Sequence, residues 1–185
     1  MGVGGQSLNR VVFLDRDGVI NAAVVRNGKP HPPDSVAETR ILNDVPQALA
    51  LLKGAGFRLA VITNQPDVAR GTQTQAAVEA INAFLASQLP LDHFEVCYHD
   101  EGDGCDCRKP KPGLIYRSAR TLGVAAPEGF VVGDRWRDID AGRAAGCRTV
   151  WIDRGYKERL PESYDRRTTS LLAAAQWIIE QQVPR

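Results

Sequence analysis

The chain has 185 residues, 43% hydrophobic and 24% charged, a balance that suits a soluble globular fold long enough to bury a core without staples. With 23 Lys and Arg against 22 Asp and Glu, the net charge of +1 offers no electrostatic case for a nucleic-acid partner or an anionic membrane surface. No apolar run approaches membrane-spanning length and MGVGGQSLNR lacks a signal peptide's hydrophobic core, so a single cytoplasmic domain over residues 1–185 is expected, with residues 1–9 frayed.

Val11 to Leu14 (VVFL) is apolar without alternation, the pattern of a central parallel strand buried on both faces. It ends in Asp15-Arg16-Asp17, with Gly18 to let the chain turn. The next stretch, AAVVRNGKPHPPDSVAETRIL, is too rich in Pro and polar residues for regular structure beyond a short hairpin at Asn27-Gly28, and is expected to fold over the strand end as a flap that could carry His31. It is too short for a separate cap domain.

A helix over Val45–Gly56, with Pro46 near its start, leads to a second buried strand, Arg58–Thr63, which ends in Thr63-Asn64-Gln65. A helix opening at Thr74 precedes a third strand at His93–Tyr98, and an amphipathic helix covers Gly113–Gly123. Phe130–Val132 is a fourth strand running into Gly133-Asp134. A short helix over Asp138–Gly146 and a fifth strand at Arg148–Asp153 follow. The charged stretch RGYKERLPESYDRR then links to a terminal helix, Ser170–Gln181, expected to pack on the sheet; from Arg154 onward no residue suggests chemistry. The alternation predicts an α/β fold with a Rossmann-like parallel sheet and helices on both faces.

Parallel strands align their carboxyl ends on one edge, so Asp15 and Asp17, Thr63 and Asn64, Arg108 and Lys109, and Asp134 should meet there although they lie far apart in the chain. Taken singly, each has a plain alternative: Thr63 could merely end a strand, Lys109 could be a solvated lysine, and Asp134 could cap a turn. Together they supply hard oxygen ligands for Mg²⁺, a hydroxyl and a fixed cation, the inventory that phosphoryl transfer requires.

Cys97-x-His99 followed by Cys105-x-Cys107 offers four ligands of the type that closes a tetrahedral structural Zn²⁺ site, here in the loop that delivers Arg108 and Lys109. Cys147 reads as a small core residue.

DRDGVIN resembles the first motif of the haloacid dehalogenase superfamily in its phosphatase branch, and TNQ, RKPKPG and GDRWRD are similar to the second, third and fourth motifs. That resemblance implies a capless, Mg²⁺-dependent phosphatase. Asp15 would be the nucleophile and Asp17 the acid/base. Asp15, Asp17 through its backbone carbonyl, and Asp134 would hold Mg²⁺, with Asp138 behind them orienting water. Thr63 and Lys109 would bind the phosphoryl oxygens.

The C-x-H and C-x-C-R-K-P elements are similar to those of the heptose 1,7-bisphosphate phosphatases and the related histidinol-phosphate phosphatases, which implies substrate contacts for Arg108, Thr63, Asn64 and Gln65. Gln65-Pro66-Asp67 and the short loop between His99 and Cys105 depart from the heptose pattern, the loop being closer to the histidinol-phosphate type. Arg135 and Trp136, beside Asp134, are candidates to touch substrate, although Trp136 could simply pack its helix. The expected partner is a small phosphorylated sugar, heptose bisphosphate first and histidinol phosphate second. A monomer is the default, and a catalytically silent zinc-stabilised binding domain is the alternative of another class.

Overall fold

The computed structural model describes residues 10–181, so the expected fraying of residues 1–9 lies outside the described residues. Six parallel strands form one sheet in the order β5-β4-β1-β6-β7-β8, with β1 at Val11–Leu14, β4 at Arg58–Asn64, β5 at His93–Cys97, β6 at Phe130–Gly133, β7 at Arg148–Ile152 and β8 at Arg166–Thr168. A two-stranded antiparallel hairpin, β2 (Val24–Arg26) and β3 (Lys29–His31), forms the flap, and its turn residues Asn27 and Gly28 both have positive φ, 54° and 78°, as the expected tight hairpin turn requires.

β1 is central because all four of its residues are apolar and buried, so it accepts neighbours on both edges and cover on both faces. Leu14 pairs with Val61 of β4 and with Val132 of β6, and this register brings the residues after each strand to one edge. The Asp15 amide donates to Val132 O at 2.9 Å, which fixes the first acid beside the end of β6.

Helices α1 (Val45–Gly54), α2 (Gln75–Gln88) and α5 (Leu171–Glu180) cover one face, burying Leu49, Leu52, Ile81, Leu85, Ala175 and Ile178 against the sheet. Helices α3 (Gly113–Leu122) and α4 (Trp136–Ala144) cover the other with Leu114, Ile115, Ala119 and Ala141. Thr74 caps α2 by accepting from Ala77 N at 3.1 Å, and Ser170 caps α5 by accepting from Ala173 N at 3.1 Å. No helix among the described residues is long and apolar enough to cross a membrane.

The sequence patterning places the α-helices and the first five sheet strands to within two residues; it does not predict β8 or the short 3-10 helices at Val36–Glu38, Glu101–Asp103 and Ala126–Glu128. The fourth helix begins at Trp136, not Asp138, because Arg135 is its cap residue: its amide donates to the Asp138 carboxylate at 3.0 Å. The stretch expected only to link contains β8, whose Arg166 and Arg167 are exposed and whose Thr168 alone is buried; an edge strand marked by charge has no apolar signature.

Leu51 and Leu52 are adjacent on α1, yet Leu52 is fully buried while Leu51 is 40% exposed. Leu52→Ala is expected to cost about 2–5 kcal/mol in chemical denaturation and Leu51→Ala less than about 0.5 kcal/mol.

Candidate active site

Asp15 follows β1, Asp134 follows β6, and Asp138 lies in the first turn of α4; their carboxylate oxygens lie within 4.8 Å of one another, and all three residues are buried. Lys109 reaches between them from the loop after β5. Its Nζ donates to Asp15 Oδ1 at 2.8 Å and to Ile62 O at 2.8 Å, and contacts Asp138 Oδ1 at 2.6 Å. Asp138 Oδ2 accepts from the Arg135 amide, so both of its oxygens are engaged. Asp134 is the contrast: neither of its oxygens meets hydrogen-bond geometry with any group, although the Tyr156 hydroxyl interacts with the carboxyl.

Two carboxylates thus share one ammonium, and the third, Asp134, has no ion pair with it. Burial, then the charge of Asp138, pushes Asp15 up to about 6 against the pull of Lys109. Burial, then Asp15 and Asp138, raises Asp134 well above the usual carboxylate range. Burial opposes the Lys109 charge, but Asp138 and Asp15 outweigh it and raise its pKa. A buried, unpartnered carboxylate amid surplus negative charge is a fitting ligand set for a hard divalent cation.

Asp17 faces a different set of donors. Its Oδ1 accepts from Asn21 Nδ2 at 2.9 Å and Arg16 Nε at 3.2 Å, and its Oδ2 from Gln65 Nε2 at 2.8 Å and Arg16 Nη2 at 3.1 Å. Arg16 is fully buried and donates onward to Asn82 Oδ1 on α2 at 2.9 Å. Gly18 turns the chain at φ 90°, and a Cβ there would lie 1.8 Å from Asp134 Oδ2.

A cavity of about 310 Å³ opens over these groups, lined by Asp15, Asp17, Thr63, Asn64, Lys109 and Asp138 at its floor. Lys29 to Pro32 of the flap, Asp67 and Arg70, Glu101, Arg108, Arg135 and Arg137 form its rim. His31 therefore borders the pocket, whereas Trp136 lies outside it, stacked between Arg137 and Arg159 at 4.6 and 4.4 Å from the ring centroid.

Not every residue expected to touch substrate is free to do so. Gln65 is buried and does not line the cavity, because its Nε2 donates to both Asp17 Oδ2 and Thr63 Oγ1. Asn64 borders the cavity but spends its amide on the Lys109 backbone, donating to its carbonyl and accepting from its amide, both at 3.1 Å. Arg135 reaches the rim with its guanidinium paired to Glu158 at 2.5 to 3.1 Å. Asp138 contacts Lys109 directly.

The atoms of Cys97, His99, Cys105 and Cys107 converge, with Cys97 Sγ to Cys107 Sγ 3.2 Å, Cys97 Sγ to Cys105 Sγ 3.8 Å and His99 Nδ1 to Cys107 Sγ 3.3 Å, so this loop could hold a metal ion. Beside it, Arg70 grips the Asp100 carboxylate at 2.7 and 2.8 Å, and this pairing holds the acid down at about 2. Arg137 donates to Glu101 at 2.7 Å. Both rim arginines brace the cysteine loop; each falls inside a motif readable in the sequence, Arg70 in VARG and Arg137 in GDRWRD, but neither pairing with the loop acids could be read there.

A parallel sheet with buried carboxylates and a buried lysine at its carboxyl edge offers the groups that phosphoryl transfer uses. The Hydrolase_like family model, described as HAD-hydrolase-like, matches residues 106–174. A D-glycero-beta-D-manno-heptose-1,7-bisphosphate 7-phosphatase of Pseudomonas putida is 35% identical over 86% of this chain and 91% of its own length. One of the same name from Escherichia coli K12 is 34% identical over 91% and 87%. The structure of a D,D-heptose 1,7-bisphosphate phosphatase from B. bronchiseptica, complexed with magnesium and phosphate, superposes with a TM-score of 0.78 at 32% identity, covering 93% of this chain and 99% of that one. The chain belongs to the haloacid dehalogenase-like hydrolases, as a phosphatase of that family.

The raised pKa of Asp15 carries a stability signature. Because the folded value of about 6 lies above the ordinary value of 3.8, the proton is bound more tightly by the native state; that contribution is complete below 3.8 and is lost as pH rises through about 6. Without a divalent cation, the melting temperature should fall across this window. Asp15→Asn should flatten part of the fall and melt higher than the unsubstituted chain above pH 6, as read by calorimetry.

Proposed function

We propose that this phosphatase removes the 7-phosphate of D-glycero-D-manno-heptose 1,7-bisphosphate through an aspartyl-phosphate on Asp15, with Mg²⁺ as its cofactor and Zn²⁺ in the cysteine loop. The observation that carries the metal is the Asp134 carboxylate, buried beside Asp15 and Asp138 with no ion pair and only the neutral Tyr156 hydroxyl against it. The names borne by the relatives support the substrate.

Asp15, Asp134 and the backbone carbonyl of Asp17 would hold Mg²⁺, which when bound offsets the surplus negative charge and the repulsion between nucleophile and phosphate. Lys109 and the Arg16 amide fix Asp15 Oδ1, both at 2.8 Å, and so present Oδ2 to phosphorus. As Oδ2 bonds to phosphorus, the bond to the sugar oxygen breaks, and Asp17 gives that oxygen its proton. Asp17 then takes a proton from the water that cleaves the aspartyl-phosphate, acid/base work worth roughly 10² to 10⁴ in rate. To reach either oxygen, the Asp17 carboxyl turns away from Gln65 and Asn21, which hold it otherwise. Thr63 Oγ1 accepts from Gln65, which leaves its own proton to donate to a phosphoryl oxygen. Arg108 extends the cationic wall toward the rest of the substrate.

The short loop between His99 and Cys105 favours histidinol phosphate as the second reading. Phosphate release from a panel of both heptose bisphosphate anomers, histidinol phosphate and common sugar phosphates, with Mg²⁺, separates them. Preference for one heptose anomer, abolished by Asp15→Asn, is the expected result. Preference for histidinol phosphate would replace the substrate, and a folded, metal-loaded protein inert on the whole panel would favour a binding role.

Stripping zinc should unfasten the loop that carries Arg108 and Lys109. Chelation followed by Mg²⁺ is expected to leave a protein that melts lower by on the order of 10 °C and is inactive until Zn²⁺ is restored. Metal analysis of the purified chain checks the stoichiometry.

A further inference from the structure

Between β7 and β8 the chain runs along the outer wall of the site. From Arg154 to Arg159, burial alternates: Arg154, Tyr156 and Glu158 are partly buried, while Gly155, Lys157 and Arg159 are exposed. The inward residues meet two loops of the site: Arg154 the one after β1, Tyr156 and Glu158 the one after β6. Arg154 Nε donates to Gly18 O, behind Asp17, at 2.9 Å, while its Nη1 donates to Thr169 O at 3.1 Å and anchors the segment to the sheet. The Tyr156 hydroxyl faces the Asp134 carboxyl; a Cβ on Gly18 would lie 2.7 Å from Asp134 Cγ and 2.9 Å from that hydroxyl, so the three groups crowd one small space. Glu158 holds both Arg135 Nε and Nη2, and the Arg135 amide holds Asp138. Lys157 is exposed, but its methylenes lie against Gly28 of the flap and its amide donates to Gly28 O at 2.9 Å.

We propose that residues 154–158 form a positioning strap, in which Tyr156 orients Asp134 and Glu158 restrains Arg135 so that the carboxylate pair Asp15 and Asp134 is preset for its divalent cation. The inference rests on the reading of Asp134 as a metal ligand.

The physical reason is the freedom of an unpartnered carboxylate. Without the Tyr156 hydroxyl, Asp134 could rotate about its terminal bond, and a cation would then have to immobilise it on binding. A phenol donor beside the group engages one oxygen as the other turns to the cation, which selects one orientation in advance; removing such a partner typically weakens metal affinity by 10–100-fold. Tyrosine suits the task because it donates a proton without adding a charge that would compete with the metal. Arg135 is the charge that could compete. Its guanidinium, released from Glu158, could swing toward Asp134 and Asp138, and Glu158 prevents this.

The test is Mg²⁺ binding to the zinc-loaded, substrate-free protein by calorimetry, with Mn²⁺ binding by electron paramagnetic resonance as a second probe. Tyr156→Phe keeps the ring and removes only the donor. It should weaken binding about 10-fold or more while the melting temperature in Mg²⁺-free buffer stays near that of the unsubstituted chain. Glu158→Gln, independent of Tyr156, should weaken binding in the same direction, and so carries the test if Tyr156→Phe does not fold. Tyr116→Phe, at an exposed tyrosine of α3 whose hydroxyl donates to Ala144 O, should leave binding unchanged. Folded variants that both bind Mg²⁺ within about twofold of the unsubstituted chain would overturn the strap. Asp134→Asn distinguishes this failure from a deeper one: it should abolish binding, and unchanged binding there would overturn the metal reading itself.

Discussion

Three buried carboxylates crowded together, with one ammonium bonded to two of them, set the terms for the rest of the molecule. At the 4.8 Å limit that encloses their oxygens, two unit charges in an effective dielectric constant of about 20 repel by roughly 3 kcal/mol. Lys109 can offset only part of this repulsion. The sheet keeps the acids together nonetheless, because Asp15 and Asp134 extend from adjacent buried strands whose pairing is fixed by fully buried apolar residues on both faces. The core therefore supplies the stability that the site consumes, and a divalent cation, if bound there, would offset the repulsion that the single charge of Lys109 leaves. This is the general trade between stability and activity, here located in named side chains.

What was legible in the sequence was whatever repeats a local rule. Buried strands show as unbroken apolar runs, so β1, β4, β6 and β7 are readable, and an acid or hydroxyl after such a run is automatically at the sheet's carboxyl edge. The hairpin at Asn27-Gly28 and the caps at Thr74 and Ser170 are equally local, since the residue type and the backbone requirement coincide at one position. The cysteine loop is readable for the same reason: four ligands within eleven residues have few ways to be arranged other than around one centre.

Roles that depend on the direction of a side chain were not legible. Thr63, Asn64 and Gln65 are consecutive, and the strand's alternation sends them to different tasks. Thr63 faces the cavity, Asn64 clamps the Lys109 backbone, and Gln65 turns inward to hold Asp17. Arg16 has the same character. Between two acids at a strand end it looks like a solvated charge, but it is fully buried, satisfied by Asp17 and by Asn82 from α2. Its partner lies 66 residues away, so no window of sequence contains the reason for its burial.

The stretch after β7 shows why such residues escape a reading by motif. Polar and charged, it resembles a solvated linker, and its arginine, tyrosine and glutamate stand at no diagnostic spacing. Their meaning comes from what lies opposite: Arg154 caps a carbonyl 136 residues earlier, and Glu158 occupies a guanidinium 23 residues earlier. A metal ligand must be one of a few residue types at one place, and that constraint writes a motif. A group that only steadies a ligand needs a donor or a charge of the right sign within reach, which several side chains at several positions could supply. Reaction class is therefore concentrated in short, recognisable strand ends, while the groups that steady those ends are dispersed through loops, where only the folded chain brings them beside the residues on which they act.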